Sequence, residues 1–212
     1  MTIGFIGLTG NIGCGKSTVA RMLATHPNIQ VYDADQIWKE VLEDSIWMEV
    51  CQKWLTLTIG PEAYKNGKPQ YDVIASAIFS DEEKRIAVQT FASMPVLNDI
   101  FRRANKMDAE TRCDTIALIE SAMLFESDMC RFVQAVVVVT CDAEEQMRRV
   151  LARPIPGRAS LTHEQAQARM NVQWPQEKKV ALATHVIDTC CPLPELEGRV
   201  KDLYNQLVGG KS

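Results

Sequence analysis

A chain of 212 residues, 46% of them apolar and 24% charged, is long enough for one α/β domain with a full core and does not need a second. The net charge of −4, with no lysine or arginine tract, argues against a general nucleic-acid or acidic-membrane binder, and no apolar run approaches bilayer-spanning length. Seven scattered cysteines without a C-x-x-C pair, and a start lacking the features of a signal peptide, predict a soluble cytoplasmic protein with reduced thiols.

Ile3 to Leu8 is an apolar run of strand length, and Ser17 to Ala24 carries Val19, Ala20 and Leu23 on one helical face. Between them Gly10-Asn11-Ile12-Gly13-Cys14-Gly15-Lys16-Ser17-Thr18 fits G-x-x-x-x-G-K-[ST], and the strand-to-helix context makes it a P-loop. Such a loop wraps a polyphosphate in backbone N–H groups at the positive end of a helix. Lys16 is expected on the β- and γ-phosphates and Ser17 on Mg²⁺, so the chain should bind a nucleoside triphosphate.

Ile29 to Tyr32 reads as a second strand, ending in Asp33-Ala34-Asp35. Ligands of doubly wound sheets sit beyond the carboxyl ends of the strands, so Asp33 is a candidate for chemistry, although one of the two aspartates should cap the helix that follows. From Ile37 to Asp108 the pattern is mostly helical, with a possible strand at Leu55 to Ile59, turns at Gly60-Pro61 and Asn66-Gly67, and a long helix starting at Ser80-Asp81-Glu82-Glu83. Trp38, Trp47 and Trp54 serve either the core or an acceptor site in this insertion.

Thr115 to Glu120 is another buried-strand pattern ending in an acid, and Glu120 is a candidate contact to metal-bound water or substrate, or a loop carboxylate. A loop and short helix with Leu124, Phe125 and Glu126 precede Ala135 to Thr140, the clearest central strand. Asp142 then caps a helix bearing Arg148, Arg149 and Arg153; a stiff loop, Pro154 to Arg158, and a helix capped at Thr162 complete the pattern of a phosphate lid. Surface pairing with Glu145 is the ordinary alternative for Arg148 or Arg149. A short strand ending at Asp188 and a helix from Leu196 to Leu207 close the chain.

Asn105-Lys106-Met107-Asp108 matches the N-K-x-D that reads guanine in GTPases, but it follows an amphipathic helix rather than a strand, and no D-x-x-G follows the P-loop. A regulatory GTPase is not expected.

Across nearly its whole length the chain resembles the dephospho-coenzyme A kinase family. The resemblance is carried by Thr9 to Ser17, the D-A-D at Asp33 to Asp35, Ile78-Phe79-Ser80-Asp81, Glu120 to Glu126 and the R-x-x-x-R at Arg149 and Arg153. It continues through Arg169, Gln173, Pro175, Glu177 and Lys178 to Val186-Ile187-Asp188. It departs from the family at Gln70-Tyr71, Met94 and Ser121-Ala122, near the presumed acceptor site, and at extra lid residues Pro154 to Gly157.

The resemblance implies transfer of the ATP γ-phosphoryl group to the ribose 3′-hydroxyl of dephospho-CoA, with Mg²⁺. Catalysis would fall to Asp33, Lys16, Arg149 and Arg153, ATP binding to Gly10 through Thr18, and acceptor binding to Asp33, Asp35, Glu120 and Leu124. The expected fold is a P-loop NTPase-type three-layer α/β/α domain with a five-stranded parallel sheet. Its core would occupy about 1–34, 110–145 and 175–212, with a helical substrate-binding insertion at about 35–108 and a lid at about 146–173. The expected partners are small molecules, ATP and dephospho-CoA, with no nucleic acid, membrane or obligate protein partner.

Overall fold

The computed structural model describes residues 3–43, 46–110, 115–153 and 161–209. The chain opens with β1 (Ile3–Thr9), α1 (Lys16–Leu23) and β2 (Ile29–Asp33). A mostly helical stretch follows: α2 (Ala34–Glu43), α3 (Met48–Thr58), the small hairpin β3 (Tyr64–Lys65) and β4 (Lys68–Pro69), α4 (Tyr71–Ser80) and α5 (Glu82–Glu110). The second half contains β5 (Thr115–Glu120), β6 (Ala135–Thr140), α6 (Ala143–Ala152), α7 (His163–Asn171), α8 (Gln176–Val180), β7 (His185–Asp188) and α9 (Leu193–Gly209).

Five strands pair in parallel in the order β2-β5-β1-β6-β7. Alternation along β1 splits the core in two. Ile6 and Leu8 join Val19 and Leu23 of α1 and Val200 and Leu203 of α9, whereas Phe5 packs on the opposite face among residues of α2, α3 and α5. Helices on both faces explain why β5 and β6 read as nearly unbroken apolar runs. β6 is one strand in from the edge and β1 is central, so such a run reports burial on both faces rather than rank in the sheet.

The structure corrects several expected boundaries. Leu55 to Thr58 belongs to α3, where Cys51 and Leu55, four apart, are the buried residues of one helical face. Ser80 ends α4, and Asp81 caps α5 by accepting Lys84 N at 3.0 Å. Residues 122–128 form turns, with a 3₁₀ segment at Met129–Phe132 in place of a short α-helix. The Asn66-Gly67 turn is present, with φ of 54° and 73°. Asn105 and Lys106 are exposed on α5, a helix, so they are not placed as a base-reading loop after a strand. The Pro154 to Arg158 loop lies outside the described residues.

Register fixes the functional edge. β5 pairs Glu120 with Leu8 of β1 on one side and Asp33 of β2 on the other, so two carboxylates and the start of the P-loop share the carboxyl end of the sheet.

Candidate active site

The P-loop conformation follows from its glycines. Gly10 has φ 144°, and a Cβ there would collide with the Val139 carbonyl of β6; Gly15 has φ 86° as the residue before α1. Lys16 folds back over the loop, its Nζ donating to the carbonyls of Gly10 at 2.9 Å and Asn11 at 3.4 Å. Burial lowers the Lys16 pKa, opposed by the negative charges of Glu120, Cys14 and Asp35. Lys16 thus closes on the carbonyls of its own loop at the positive end of α1, and a loop of this kind holds a polyphosphate.

Facing it is the carboxylate rim. Ser17 Oγ donates to Glu120 Oε1 at 2.7 Å, joining the first turn of α1 to the end of β5. Asp33 Oδ1 accepts the N–H groups of Asp35 at 2.9 Å and Gln36 at 3.1 Å, so Asp33 caps α2 while projecting from β2 beside Glu120. Asp33 also lines a cleft of about 440 Å³ with Tyr32, Gln36, Glu40 and Arg103.

Desolvation, reinforced by repulsion from Asp33, holds the Asp35 carboxyl above the usual range; Lys16, Lys39 and Arg153 partly offset this. A raised folded-state pKa favours the protonated form in the native protein. Stability from this group is therefore full below the unfolded pKa and lost as pH rises through the folded value. Asp35→Asn should stabilise the protein at pH 7, by no more than about 1 kcal/mol, because the residue as a whole is exposed and solvent screens its carboxylate despite the local desolvation. Thermal unfolding should show that gain shrinking as pH falls towards about 3, where the wild-type carboxyl is mostly protonated in both states.

Arg149 is positioned beside the P-loop. Its Nε donates to Glu145 at 2.6 Å, Nη1 to Thr189 Oγ1 at 2.7 Å and Nη2 to the Thr189 carbonyl at 2.9 Å. Thr189 Oγ1 in turn donates to the Cys14 carbonyl at 2.9 Å. Arg148 pairs with Glu145 at 2.6 Å on the solvent side of α6. Together the two guanidinium groups hold the Glu145 carboxyl at about 2. Arg153 follows α6 as an exposed residue in extended conformation, so it does not continue the helical face of Arg149, although its charge reaches Asp35. Leu124 does not join the site: it is fully buried, and its side chain fills the space above Gly7 of β1.

The structure adds residues that the P-loop pattern does not disclose. The segment between α7 and α8 grips the loop from outside: Gln173 Oε1 accepts Ile12 N at 2.8 Å, and the Trp174 carbonyl accepts from Asn11 Nδ2 at 3.2 Å. Gln146 of α6 donates to the Ile12 carbonyl at 2.8 Å. Beneath them Lys179, fully buried, donates to Glu126 at 2.9 Å and to the Ala122 carbonyl at 2.7 Å, and Glu126 accepts Trp174 N at 2.9 Å. The late motif pointed to this region, but the buried lysine is Lys179; Lys178 lies outside, with Nζ 3.2 Å from the Trp174 ring centroid. Gln173→Ala removes one bond to the loop apex, worth about 1 kcal/mol, so the KM for ATP should rise about fivefold with little change in kcat. Steady-state kinetics at saturating acceptor would check this.

A sequence model of dephospho-CoA kinase matches residues 4–194. The dephospho-CoA kinase of Chlorobaculum tepidum is 33% identical over 209 residues, covering 96% of this chain and 94% of that protein. A crystal structure from Thermus thermophilus superposes with a TM-score of 0.74 at 29% identity, covering 98% of this chain and 99% of that one. The dephospho-CoA kinase of Campylobacter jejuni shares the fold, with a TM-score of 0.65 at 19% identity over the full length of both chains. With its P-loop, its two strand-end carboxylates and this match along nearly all of its length, the chain belongs to the dephospho-CoA kinase family.

Proposed function

We propose that the chain transfers the γ-phosphoryl group of ATP to the ribose 3′-hydroxyl of dephospho-CoA, giving coenzyme A in the final step of its synthesis. The observation that carries this reading is the convergence of P-loop, Ser17, Glu120 and Asp33 on one edge of the sheet, fixed by the pairing of Asp33 with Glu120 and the bond from Ser17 to Glu120.

In this reading the backbone from Gly10 to Thr18 seats the triphosphate, and Lys16 exchanges the Gly10 and Asn11 carbonyls for β- and γ-phosphate oxygens. Asp33 accepts the proton of the acceptor hydroxyl, or orients it, and the cleft beside it gives the acceptor room. Arg149, tied through Thr189 to the Cys14 carbonyl, neutralises charge on the transferring group, and Arg153 approaches from the end of α6. Asp35 and Glu120 complete the polar wall. Residues of about 35–108 act as the substrate-binding insertion and those of about 146–173 as the lid.

The Ser17 hydroxyl and the Glu120 carboxylate are hard oxygen donors that fit Mg²⁺, Ser17 directly and Glu120 through water. Among the described residues there is no cluster of three or more His, Cys, Asp or Glu able to hold a metal. An ion held by Ser17 would take most of its other ligands from phosphate and water. When bound, Mg²⁺ would neutralise charge on the β- and γ-phosphates. No helix among the described residues is long and apolar enough to cross a membrane. We place the chain in the cytoplasm, with ATP and dephospho-CoA as its small-molecule partners.

The test is ADP release from ATP and Mg²⁺ with dephospho-CoA, set against a panel of nucleoside monophosphates. Turnover should be largest with dephospho-CoA. Preference for another acceptor would overturn the substrate assignment while leaving the kinase reading in place.

A further inference from the structure

Cys14 of the P-loop and Cys141, the residue after β6, lie side by side beneath the phosphate-binding backbone, their Sγ atoms 3.5 Å apart. We propose that this pair is an oxidative modification site: a hydroperoxide converts the two thiols to a disulfide that ties the P-loop to the end of β6 and suppresses nucleotide binding.

The two residues are 0% and 3% exposed, which shields them from bulky disulfides and alkylating agents, so the oxidant the proposal calls for is a molecule of the size of hydrogen peroxide. They are already oriented towards each other. The Cys141 thiol donates to Cys14 Sγ, and Gln176 Oε1 accepts from both Cys14 Sγ at 3.6 Å and Cys141 N at 3.2 Å. That contact from Cys141, opposed by burial and aided by the charge of Lys16, lowers the Cys14 pKa to about 7, so loss of the proton shared with Gln176 yields the thiolate near neutral pH, while Cys141 is pushed up. Neither sulfur has a part in the proposed phosphoryl transfer.

The chemistry balances with one peroxide. The Cys14 thiolate attacks a peroxide oxygen, breaking the O–O bond and forming a sulfenic acid, with the displaced oxygen leaving as water after protonation. The Cys141 sulfur then attacks the sulfenic sulfur, its proton leaving with the hydroxyl as a second water, so that two thiols are oxidised and one peroxide is reduced. An S–S bond is about 2.05 Å, so the sulfurs must approach by about 1.5 Å. Cys14 precedes Gly15 and Lys16 and its carbonyl is held by Thr189, so part of that approach must displace the loop amides that meet phosphate. Bound ATP should slow the reaction by holding the loop in place.

The experiment treats the full chain with hydrogen peroxide, quenches with an alkylating agent and maps peptides without reduction. The expected result is a Cys14–Cys141 cross-linked peptide whose appearance parallels loss of binding to a fluorescent ATP analogue by more than about tenfold, both reversed by dithiothreitol. Cys141→Ser and Cys141→Ala should bind the analogue before oxidation and show no reversible loss after it; Cys190→Ser should behave as wild type. The proposal is overturned if binding falls without that cross-link, if the link forms through Cys190, or if both Cys141 variants show the same reversible loss. The cross-link and the binding assay need no acceptor, so a failed substrate assignment would leave this test intact.

Discussion

Asp33→Asn is expected to lower kcat for phosphoryl transfer by about 10²- to 10⁴-fold while ATP affinity stays within about twofold of wild type. The carboxylate stands at the end of β2, level with Glu120 and across from the P-loop, but is not part of the loop itself. Asparagine keeps an oxygen for the N–H groups of Asp35 and Gln36, so the cap on α2 survives while the proton acceptor is lost. Asp33→Ala removes both, and should add a stability loss of about 1 kcal/mol to the same kinetic defect. Steady-state turnover with calorimetric ATP titration separates the two effects. An asparagine variant with unchanged kcat would remove Asp33 from the chemistry.

Lys179→Met should destabilise the fold by about 3–5 kcal/mol, because it leaves Glu126 buried without its cation. The two side chains are 0% and 5% exposed, and Glu126 Oε2 has no hydrogen-bond partner among the described residues. The pair joins the turn after β5 to α8, and through Trp174 and Asn11 to the P-loop. Adding Glu126→Leu removes the stranded charge, so the double variant should recover much of the lost stability. Recovery of ATP binding should be smaller, since the bond that Trp174 N donates to Glu126 is gone in both the double variant and Glu126→Leu alone. Urea unfolding measures the first effect and nucleotide titration the second. A Lys179→Met protein as stable as wild type would show that the pair is not holding the two segments together.

Much of this arrangement was legible in the sequence because strand ends are legible. Glycine spacing marked the P-loop, and the acids after apolar runs, Asp33 and Glu120, mark the sheet edge whatever the strand order. What local pattern cannot carry is contact between distant segments. Leu124 sits in a motif next to the site, yet its burial depends on the empty space above Gly7 in a strand far away in sequence. Lys179 reads as one of two adjacent lysines, and only the fold shows which faces Glu126 and which lies over Trp174. Local pattern leaves the cap of α2 to either of two aspartates; the geometry assigns it to Asp33, the residue also proposed for the chemistry. Leu55 to Ile59 looked like a strand because a short apolar run does not reveal its period. Within α3, Cys51 and Leu55 supply the four-residue spacing that decides for a helix.

The most direct test follows the transferred atom. With ATP labelled in its γ-phosphate, Mg²⁺ and dephospho-CoA, the label should appear as a phosphomonoester on the ribose 3′-oxygen, located by ³¹P–¹H correlation. A 3′-deoxy acceptor should remain unlabelled. Label at any other position of the acceptor, or ATP hydrolysis with the acceptor untouched, would contradict the placement of the acceptor alcohol beside Asp33.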